Sequence, residues 1–256
     1  MSDLEYHKLE KENGVARITL NRPKVNVFDI NMMKEFNTIF EDLSKDDDLK
    51  CVVIFGEGPA WCAGVEVGDH KPESAGGMID VFNRQLALIM ELEVPTIAAV
   101  HGVCLGGGME VAIACDIVMA SEKAKFGQPE IKLGFLPPYA VVRLPELVGS
   151  AKAIEICTSG KIYSAEESRR LGFVSQVAPA DEFAEAVEKM IQEIAYNSPL
   201  IIRMNKKAVI ECRKRDHQAA VEWVSDYFLN TLMKSNDTLE GIASFEEKRK
   251  PVWKNS

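Results

Sequence analysis

Short, uninterrupted apolar runs separated by helical patterns constrain the fold of this chain most strongly. Three such runs, CVVIF, TIAAV and DIVMA, begin at Cys51, Thr96 and Asp116. A short continuous apolar run is typical of a strand that is buried on both faces of its sheet. Because strands that alternate with helices pack into α/β layers, these runs predict an α/β fold.

The segments around these strands carry their own start and stop signals. VARITL, from Val15, predicts a further strand, and INMMKEFNTIFEDL predicts a helix with Asp29 as its N-cap. MIDVFNRQLALIMEL predicts a second helix that ends before Val94-Pro95, and GGMEVAIAC predicts a third, built of small residues. The first half of the chain therefore alternates strand and helix.

The second half becomes irregular and then helical. A capping box formed by Ser164 and Glu167 predicts a short helix, FVSQVAP predicts a strand, and a longer helix is predicted to open at Asp181. From residue 199 onward only helical patterns occur. We therefore predict a core of residues 1–198 that carries the site, followed by a C-terminal helical region, 199–256.

Composition excludes several classes of protein. Lys and Arg total 30 against 39 Asp and Glu, and this formal net charge of −9 argues against a nucleic-acid-binding surface. No stretch approaches about 18 consecutive apolar residues, so we expect neither a transmembrane helix nor a membrane partner. The polar opening MSDLEYHKLEKENG lacks the basic start and apolar core of a signal peptide, so we expect a cytoplasmic protein.

Cysteine and histidine do not predict a metal site. The six cysteines are scattered without a CxxC pair, and most lie in apolar runs, as buried thiols in a reducing compartment do. The four histidines are dispersed along the chain. We therefore expect no metal ion and no disulfide framework.

Three segments are candidates for a functional site: GPAWCAGVEVGD (58–69), HGVCLGGGMEVAIACD (101–116) and FGQPEIKLG (126–134). In the second, Gly106, Gly107 and Gly108 follow a predicted strand and lead into a helix, where backbone N–H groups can bind a ligand. The same glycines would equally serve tight helix–strand packing, and both interpretations stay open. The GxxxGGG spacing is neither GxGxxG nor a P-loop, and no GxSxG or HExxH occurs, which disfavours a nucleotide-dependent enzyme or a serine hydrolase.

Two carboxylates lie inside these segments. Glu110 follows Gly108 on a helix of small apolar residues, so we expect it to face a cavity rather than bulk water. Glu130 follows Pro129 at an irregular corner. Taken alone, each is more simply a solvated or capping glutamate. Asp116, at a predicted helix-to-strand junction, is interpreted as structural.

Together these segments resemble the crotonase (enoyl-CoA hydratase/isomerase) superfamily over essentially the whole chain. The matching pieces are NRPKVNVFD, AWCAGVEV, HGVCLGGGMEVAIACDIVMASEKAKFGQPEIKLG and SAEESRRLGFVSQV. The resemblance implies an α/β fold of ββα turns wound into a superhelix, with C-terminal helices that mediate homotrimers or dimers of trimers. It also implies an acyl-CoA thioester as substrate and no metal or organic cofactor.

The resemblance also implies which backbone groups meet the substrate. The two N–H groups of the family's oxyanion hole fall on Val65 and Gly107. Ala63, Gly64 and Gly106 stand beside them in the sequence and are expected at the substrate too. Two fixed backbone donors of this kind stabilise the negative charge that develops on a thioester oxygen.

Both glutamates that hydratases of the family use for acid–base catalysis are present, as Glu110 and Glu130. Isomerases of the family commonly keep only one of the two. Retention of both therefore favours hydration–dehydration. The resemblance favours Glu130 as the proton donor to carbon, while the residues alone leave the order of the two steps open.

The segment after Glu130 departs from the ordinary short-chain hydratases of the family. Where they carry a loop of the type LGxxPGxGGTxRL, this chain has LGFLPPYAVVRL, in which proline and bulkier residues replace glycine. This variant resembles the branch that hydrates cyclohexa-1,5-diene-1-carbonyl-CoA to 6-hydroxycyclohex-1-ene-1-carbonyl-CoA in anaerobic benzoyl-CoA degradation. A rigid apolar wall suits a flat six-membered ring, and Pro138 and Tyr139 are the predicted substrate contacts.

The residues that contact coenzyme A are the hardest part of the site to predict from the sequence. Lys24 and Val25, in the NRPKVN turn, are predicted to lie at the coenzyme, and Lys207 is a further candidate, although each lysine is equally a solvated surface residue. Three alternative functions stay open. They are a hydratase of linear short-chain 2-enoyl-CoA, a double-bond isomerase, and a catalytically idle or interacting subunit on the same fold.

Overall fold

The computed structural model describes residues 4–256, which form two β-sheets surrounded by helices. The strands are β1 His7–Glu12, β2 Val15–Leu20, β3 Cys51–Gly56, β4 Ala60–Cys62, β5 Thr96–Val100, β6 Val103–Leu105, β7 Ile117–Ser121, β8 Lys125–Gly127, β9 Ile162–Ser164 and β10 Gln176–Ala178. The α-helices are α1 Ile30–Leu43, α2 Ala75–Glu91, α3 Gly107–Ala114, α4 Ala140–Val148, α5 Ser150–Ser159, α6 Ala165–Leu171, α7 Phe183–Ala195, α8 Pro199–Arg213, α9 His217–Asn230 and α10 Asn236–Glu246. Short 3₁₀ helices cover Val67–His70, Pro129–Leu133 and Leu232–Lys234.

The two sheets are built by a repeated ββα turn. The larger sheet has the order β1-β2-β3-β5-β7-β10, and the smaller has the order β4-β6-β8-β9. Neighbouring strands are parallel except for β1 with β2 and β8 with β9. Because β3–β4–α2 and β5–β6–α3 each place one strand in each sheet before a helix, the chain winds as the predicted superhelix.

The predictions are confirmed where local signals are strong. The runs CVVIF, TIAAV and DIVMA form β3, β5 and β7, which are three of the four inner strands of the larger sheet and are adjacent to one another. Asp29 caps α1 by accepting a hydrogen bond from the Met32 N–H at 2.8 Å. Ser164 and Glu167 form the predicted capping box of α6.

The structure differs from prediction where sequence signals are weak. Strand β1 is absent from the prediction, because HKLEKE contains no apolar run; it lies at the edge of the larger sheet and exposes most of its side chains. Helix α7 begins at Phe183, after Glu182, rather than at Asp181. Strand β10 is shorter than FVSQVAP, because only its last part pairs with β7.

The alternation of side chains along the strands divides the core in two. In β3, Val52 and Ile54 belong to the main cluster, with α1, α2 and α3. Cys51 and Val53 point to the opposite face, where α7 covers a smaller cluster. Both faces of the inner strands are therefore buried, which explains why their sequences are apolar throughout.

Helices α8 to α10 form the end of the chain. Ser198 caps α8 by accepting from the Ile201 N–H at 3.2 Å. Helices α9 and α10 leave large apolar side chains exposed, among them Phe228, Leu229 and Phe245, the last at 85%. No helix within residues 4–256 combines the length and the apolar character that crossing a bilayer requires. The division of the chain at residue 199 stays a prediction.

Candidate active site

A cavity of about 450 Å³ lies between the loop after β4, the start of α3, one face of α2 and the segment after β8. The three glycine-containing segments 58–69, 101–116 and 126–134 thus supply three of its walls. Its lining is mostly apolar, and its ionisable side chains are Glu110, Glu130 and His70.

The loop after β4 is held by backbone hydrogen bonds from the segment that precedes α1. The Ala63 N–H donates to the Val25 carbonyl at 3.0 Å, and the Gly64 carbonyl accepts from the Phe28 N–H at 2.9 Å. Gly64 has φ +126°, which residues with a side chain rarely adopt. Val65 follows at the cavity, and no backbone partner for its N–H is found within residues 4–256.

The three adjacent glycines at the start of α3 each have a different reason to be glycine. Gly106 has φ +53°, and a Cβ there would meet the Glu130 Oε1 atom at 2.7 Å. A Cβ on Gly107 would lie 2.5 Å from a methyl group of Val65. A Cβ on Gly108 would lie 2.5 Å from the Cys62 carbonyl oxygen, inside β4. A close protein neighbour thus accounts for glycine at each of the three positions, and ligand binding by their N–H groups stays a prediction.

Val65 and Gly107 bring two backbone N–H groups to one wall of the cavity. Gly107 is the first residue of α3, where N–H groups have no partner inside the helix. A Cβ on Gly107 would clash with the Val65 side chain, so the two residues lie next to each other at the cavity. Such a pair can bind an oxygen that gains negative charge.

Glu110 is buried at one end of the cavity. Its side chain is 2% exposed, and its Oε1 accepts from the Tyr139 N–H at 2.7 Å and the Ala140 N–H at 2.8 Å. These N–H groups begin α4, so the carboxylate caps that helix. Burial raises the pKa of Glu110 to about 7, and the two hydrogen bonds oppose this rise.

Glu130 faces the same cavity from the 3₁₀ helix that Pro129 opens. It is half-buried, and burial raises its pKa to about 7, with the charge of Glu110 adding to the rise. The amide of the fully buried Gln128, oriented with its nitrogen toward Glu130, donates to the two carboxylate oxygens at 2.9 and 3.1 Å. Two carboxyl groups with pKa values near neutrality can act as a general acid and a general base.

Several residues of the cavity are missing from the sequence-based prediction. Met78 and Phe82 line it from the buried face of α2. His70 and Phe135 also line it, and their ring centroids lie 5.1 Å apart. The apolar periodicity of α2 indicates only a buried face, and nothing local connects His70 to a residue 65 positions later.

The remaining predicted residues lie in different places. Pro138 lines the cavity, whereas Tyr139 does not and turns its hydroxyl to Met90. Lys24 is exposed on the turn before α1, and neither it nor Val25 lines the cavity.

Two further polar residues lie apart from the cavity. Lys207 lies over the ring of Tyr227, at 5.8 Å from the ring centroid. Asp116 accepts from the Thr96 N–H and from Lys206, in accord with a structural role. Within residues 4–256, no group of three or more His, Cys, Asp or Glu side chains is arranged to hold a metal ion.

The architecture and sequence match known proteins over nearly their full length. Residues 10–256 match the profile of the Enoyl-CoA hydratase/isomerase family. The chain is 35% identical over 252 residues to a probable mitochondrial enoyl-CoA hydratase of Dictyostelium discoideum, covering 96% of this chain and 90% of that protein. It is 32% identical over 247 residues to the cyclohexa-1,5-dienecarbonyl-CoA hydratase of Thauera aromatica, covering 96% and 95% of the two chains.

Solved structures agree with these matches. An enoyl-CoA hydratase from Bacillus anthracis has a TM-score of 0.93 and 27% identity, covering 98% of this chain and 100% of that chain. Profile, sequence and fold therefore lead to one conclusion: the chain belongs to the enoyl-CoA hydratase/isomerase family.

Proposed function

We propose that this protein is a hydratase of enoyl-CoA thioesters and that its preferred acyl group is the conjugated ring of cyclohexa-1,5-diene-1-carbonyl-CoA. The main observation in support of this reaction is that two glutamates, Glu110 and Glu130, face one cavity beside two backbone N–H donors. Burial raises the pKa of each glutamate to about 7, so near neutral pH one can be protonated while the other is ionised. Family membership supports a coenzyme A thioester as the substrate.

The N–H groups of Val65 and Gly107 stabilise the thioester oxygen in this proposal. When water adds to a C=C bond conjugated with the carbonyl group, negative charge moves onto that oxygen as an enolate. Backbone donors fixed by the fold need no reorganisation as this charge develops. Loss of one such donor costs about 3–4 kcal/mol of transition-state stabilisation.

The two carboxyl groups carry out the proton transfers. The ionised carboxylate removes a proton from water as the water oxygen bonds to the β-carbon, and the neutral partner donates its proton to carbon. In the cyclic diene the hydroxyl adds at the β-carbon, the proton adds at the far end of the diene, and the remaining double bond moves between them. We assign the proton donation to Glu130. Proton exchange with solvent then restores the pair.

The preference for a ring rests on the segment that follows Glu130. Pro137 is buried and Pro138 lines the cavity, so this wall is stiff where a glycine-rich loop would be flexible. The neighbouring lining residues Leu136, Phe82 and Met78 are apolar. The Thauera aromatica relative bears this activity in its name, while relatives named enoyl-CoA hydratase or short-chain-enoyl-CoA hydratase are about equally similar. The choice of the ring as substrate therefore depends on this loop.

The test is to incubate the purified protein separately with cyclohexa-1,5-diene-1-carbonyl-CoA and crotonyl-CoA and to identify products by chromatography with mass detection. We expect rapid gain of one water by the cyclic diene and little by crotonyl-CoA. The reverse preference would support a linear hydratase and contradict the role of Pro137 and Pro138. A shifted double bond without added water would identify an isomerase, and binding without turnover would identify an idle subunit.

We also propose that Lys24 and Val25 lie at the coenzyme and that no metal or organic cofactor takes part. The hydrogen bond from the Ala63 N–H to the Val25 carbonyl, next to the proposed oxyanion donors, supports this proposal. The acid, base and oxyanion groups described above account for each bond that changes. Lys24→Ala should raise KM for the ester without lowering kcat, and dialysis against EDTA should leave the rate unchanged.

Self-association as a homotrimer or a dimer of trimers completes the proposal. The exposed apolar side chains of α9 and α10, such as Phe228, Leu229 and Phe245, support it, because their removal from water is favourable. Analytical ultracentrifugation should show three or six chains per particle. Phe245→Asp should lower that number, and a monomeric wild type would contradict the proposal.

A further inference from the structure

Glu110 depends on two backbone N–H groups for its position. The Tyr139 and Ala140 N–H groups both bond its Oε1, at 2.7 and 2.8 Å. No Lys, Arg or His side chain forms an ion pair with this carboxylate within residues 4–256. Whatever fixes the start of α4 therefore also fixes the carboxylate inside the cavity.

The chain just before α4 is weakly anchored on its own. Residues 131–136 are all exposed, and burial begins only at Pro137. Pro138 is exposed at the cavity, so the anchors at the start of the helix are Pro137, Tyr139 and Ala140. Ala140 is fully buried, but its methyl side chain offers little surface for contacts that would hold the segment in place.

Tyr139 supplies a long-range anchor at the start of α4, in addition to the buried Leu144 and the Arg143 side chain, which donates to the Ile113 carbonyl at 3.2 Å. Its ring packs against the main core, and its hydroxyl donates to the Met90 sulfur at 3.0 Å, in the last turn of α2. Burial raises the pKa of this hydroxyl to about 12, so it remains a donor throughout the pH range of activity assays. The side chain thus points away from the cavity while the N–H of the same residue points to Glu110.

We propose that Tyr139 is a positioning residue, whose ring and hydroxyl, seated against Met90, hold the N–H groups of residues 139 and 140 on the Glu110 carboxylate. It rests on the proposed function, in which Glu110 transfers a proton. The free oxygen of Glu110 is then aimed at the water or substrate, although Tyr139 itself touches neither.

The test compares Tyr139→Ala and Tyr139→Phe with the wild type, using the CoA ester that the wild type hydrates fastest, from pH 5 to pH 9. We expect Tyr139→Ala to lower kcat by about 10- to 100-fold, because small displacements of a catalytic group cost this much. KM should stay within about threefold of the wild-type value, since the side chain lies outside the cavity. Tyr139→Phe keeps the ring but loses the hydroxyl, and it should lower kcat by about 2- to 5-fold, the effect of one weak hydrogen bond.

The pH profile separates positioning from a general loss of stability. Hydrogen bonds to an ionised carboxylate lower its pKa, so loosening them must raise it. The limb of the kcat–pH profile that reports the ionisation of Glu110 is the one that is absent in Glu110→Gln. This limb should move to higher pH in Tyr139→Ala. Tyr196→Ala is the matched control, because this tyrosine is 60% exposed at the end of α7, and it should change neither kcat nor the profile.

Each outcome has one meaning. Unchanged kcat and pH profile in folded Tyr139→Ala overturn the positioning role, and a raised KM with unchanged kcat makes Tyr139 a substrate contact instead. If Tyr139→Ala fails to fold, a double-mutant cycle of Tyr139→Phe and Met90→Leu decides. Non-additive effects on kcat support the contact, and additive or absent effects overturn it. Normal turnover by Glu110→Gln would refute the proposed function itself, a separate result.

Discussion

Glu110 and Glu130 reach one cavity from supports that are built differently. Glu110 stands on α3, is 2% exposed, and caps a second helix through two N–H donors. Glu130 stands on a five-residue 3₁₀ helix, is half-buried, and precedes a stretch of exposed residues. Burial is nevertheless the first cause that raises the pKa of each to about 7. Burial is therefore the leading cause of the raised pKa in both groups, although different elements carry them.

The different supports of Glu110 and Glu130 are consistent with different roles in the proposed reaction. One oxygen of Glu110 is occupied by the start of α4, which leaves a single oxygen for a water molecule. Glu130 lies against Gly106, at the wall that holds the two N–H donors, where a thioester oxygen would bind. Glu130 therefore lies on the side of the cavity that carries these donors, and its assignment as the donor to carbon stays a proposal.

The largest expected effect comes from Glu110→Gln and Glu130→Gln. Each should lower kcat by about 10²- to 10⁴-fold, because each removes one proton-transfer group. Glutamine at position 110 keeps an oxygen for the Tyr139 and Ala140 N–H groups, so the fold should persist. Turnover measures the loss, and calorimetry with a CoA ester checks that binding is retained. Near-normal activity of either variant would break the two-glutamate mechanism.

The pH dependence of stability distinguishes the two supports. Because burial raises the pKa of Glu110 from 4.5 to about 7, the folded state binds a proton that the unfolded state releases between these values. The free energy of unfolding should therefore fall as pH rises from about 4.5 to about 7, by on the order of 3 kcal/mol relative to Glu110→Gln. The change should be smaller relative to Glu130→Gln, because solvent screens a half-buried group. Urea titrations of the wild type and the two variants at several pH values measure these changes in the free energy of unfolding. Equal changes for Glu110 and Glu130 would contradict the difference between their supports.

Two glycine substitutions disturb the supports separately. Gly106→Ala would push against the Glu130 carboxylate and strain a backbone with φ +53°, while Gly108→Ala would push α3 away from the Cys62 carbonyl. Each should cost about 1–3 kcal/mol of folding stability. Gly106→Ala should lower kcat through Glu130. Gly77→Ala in α2, with nothing within 4 Å, is the control and should stabilise slightly. Unaltered kcat in Gly106→Ala would contradict the close packing of Gly106 against Glu130.

The smallest effect is expected at the rim on the Glu130 side. Phe135 bonds the Glu130 carbonyl through its backbone N–H, which survives substitution, while its ring contacts His70. Phe135→Ala and His70→Ala should each lower kcat/KM by about 2- to 10-fold, the range of one aromatic contact. The Glu110 limb of the pH profile should not move. A loss beyond about 100-fold would show that the rim takes part in proton transfer.

Local signals account for the elements that prediction placed correctly. Asp29, Ser164 and Ser198 cap helices through bonds to residues three positions away. The apolar strands are predictable because both of their faces are buried. Strand β1 escapes prediction for the opposite reason, since an edge strand is held by its partner β2 rather than by its own side chains.

The amino-acid sequence by itself determined the buried strands β3, β5 and β7, the caps of α1 and α6, the glycines beside Val65 and the presence of both glutamates. Only the tertiary structure decided that Glu110 and Glu130 share a cavity, that the start of α4 holds Glu110, and that His70 meets Phe135. The physical reason is the range of the interactions. Caps and turns depend on neighbours within one helical turn, whereas burial, a raised pKa and a hydrogen bond across 29 positions arise only when distant segments pack together.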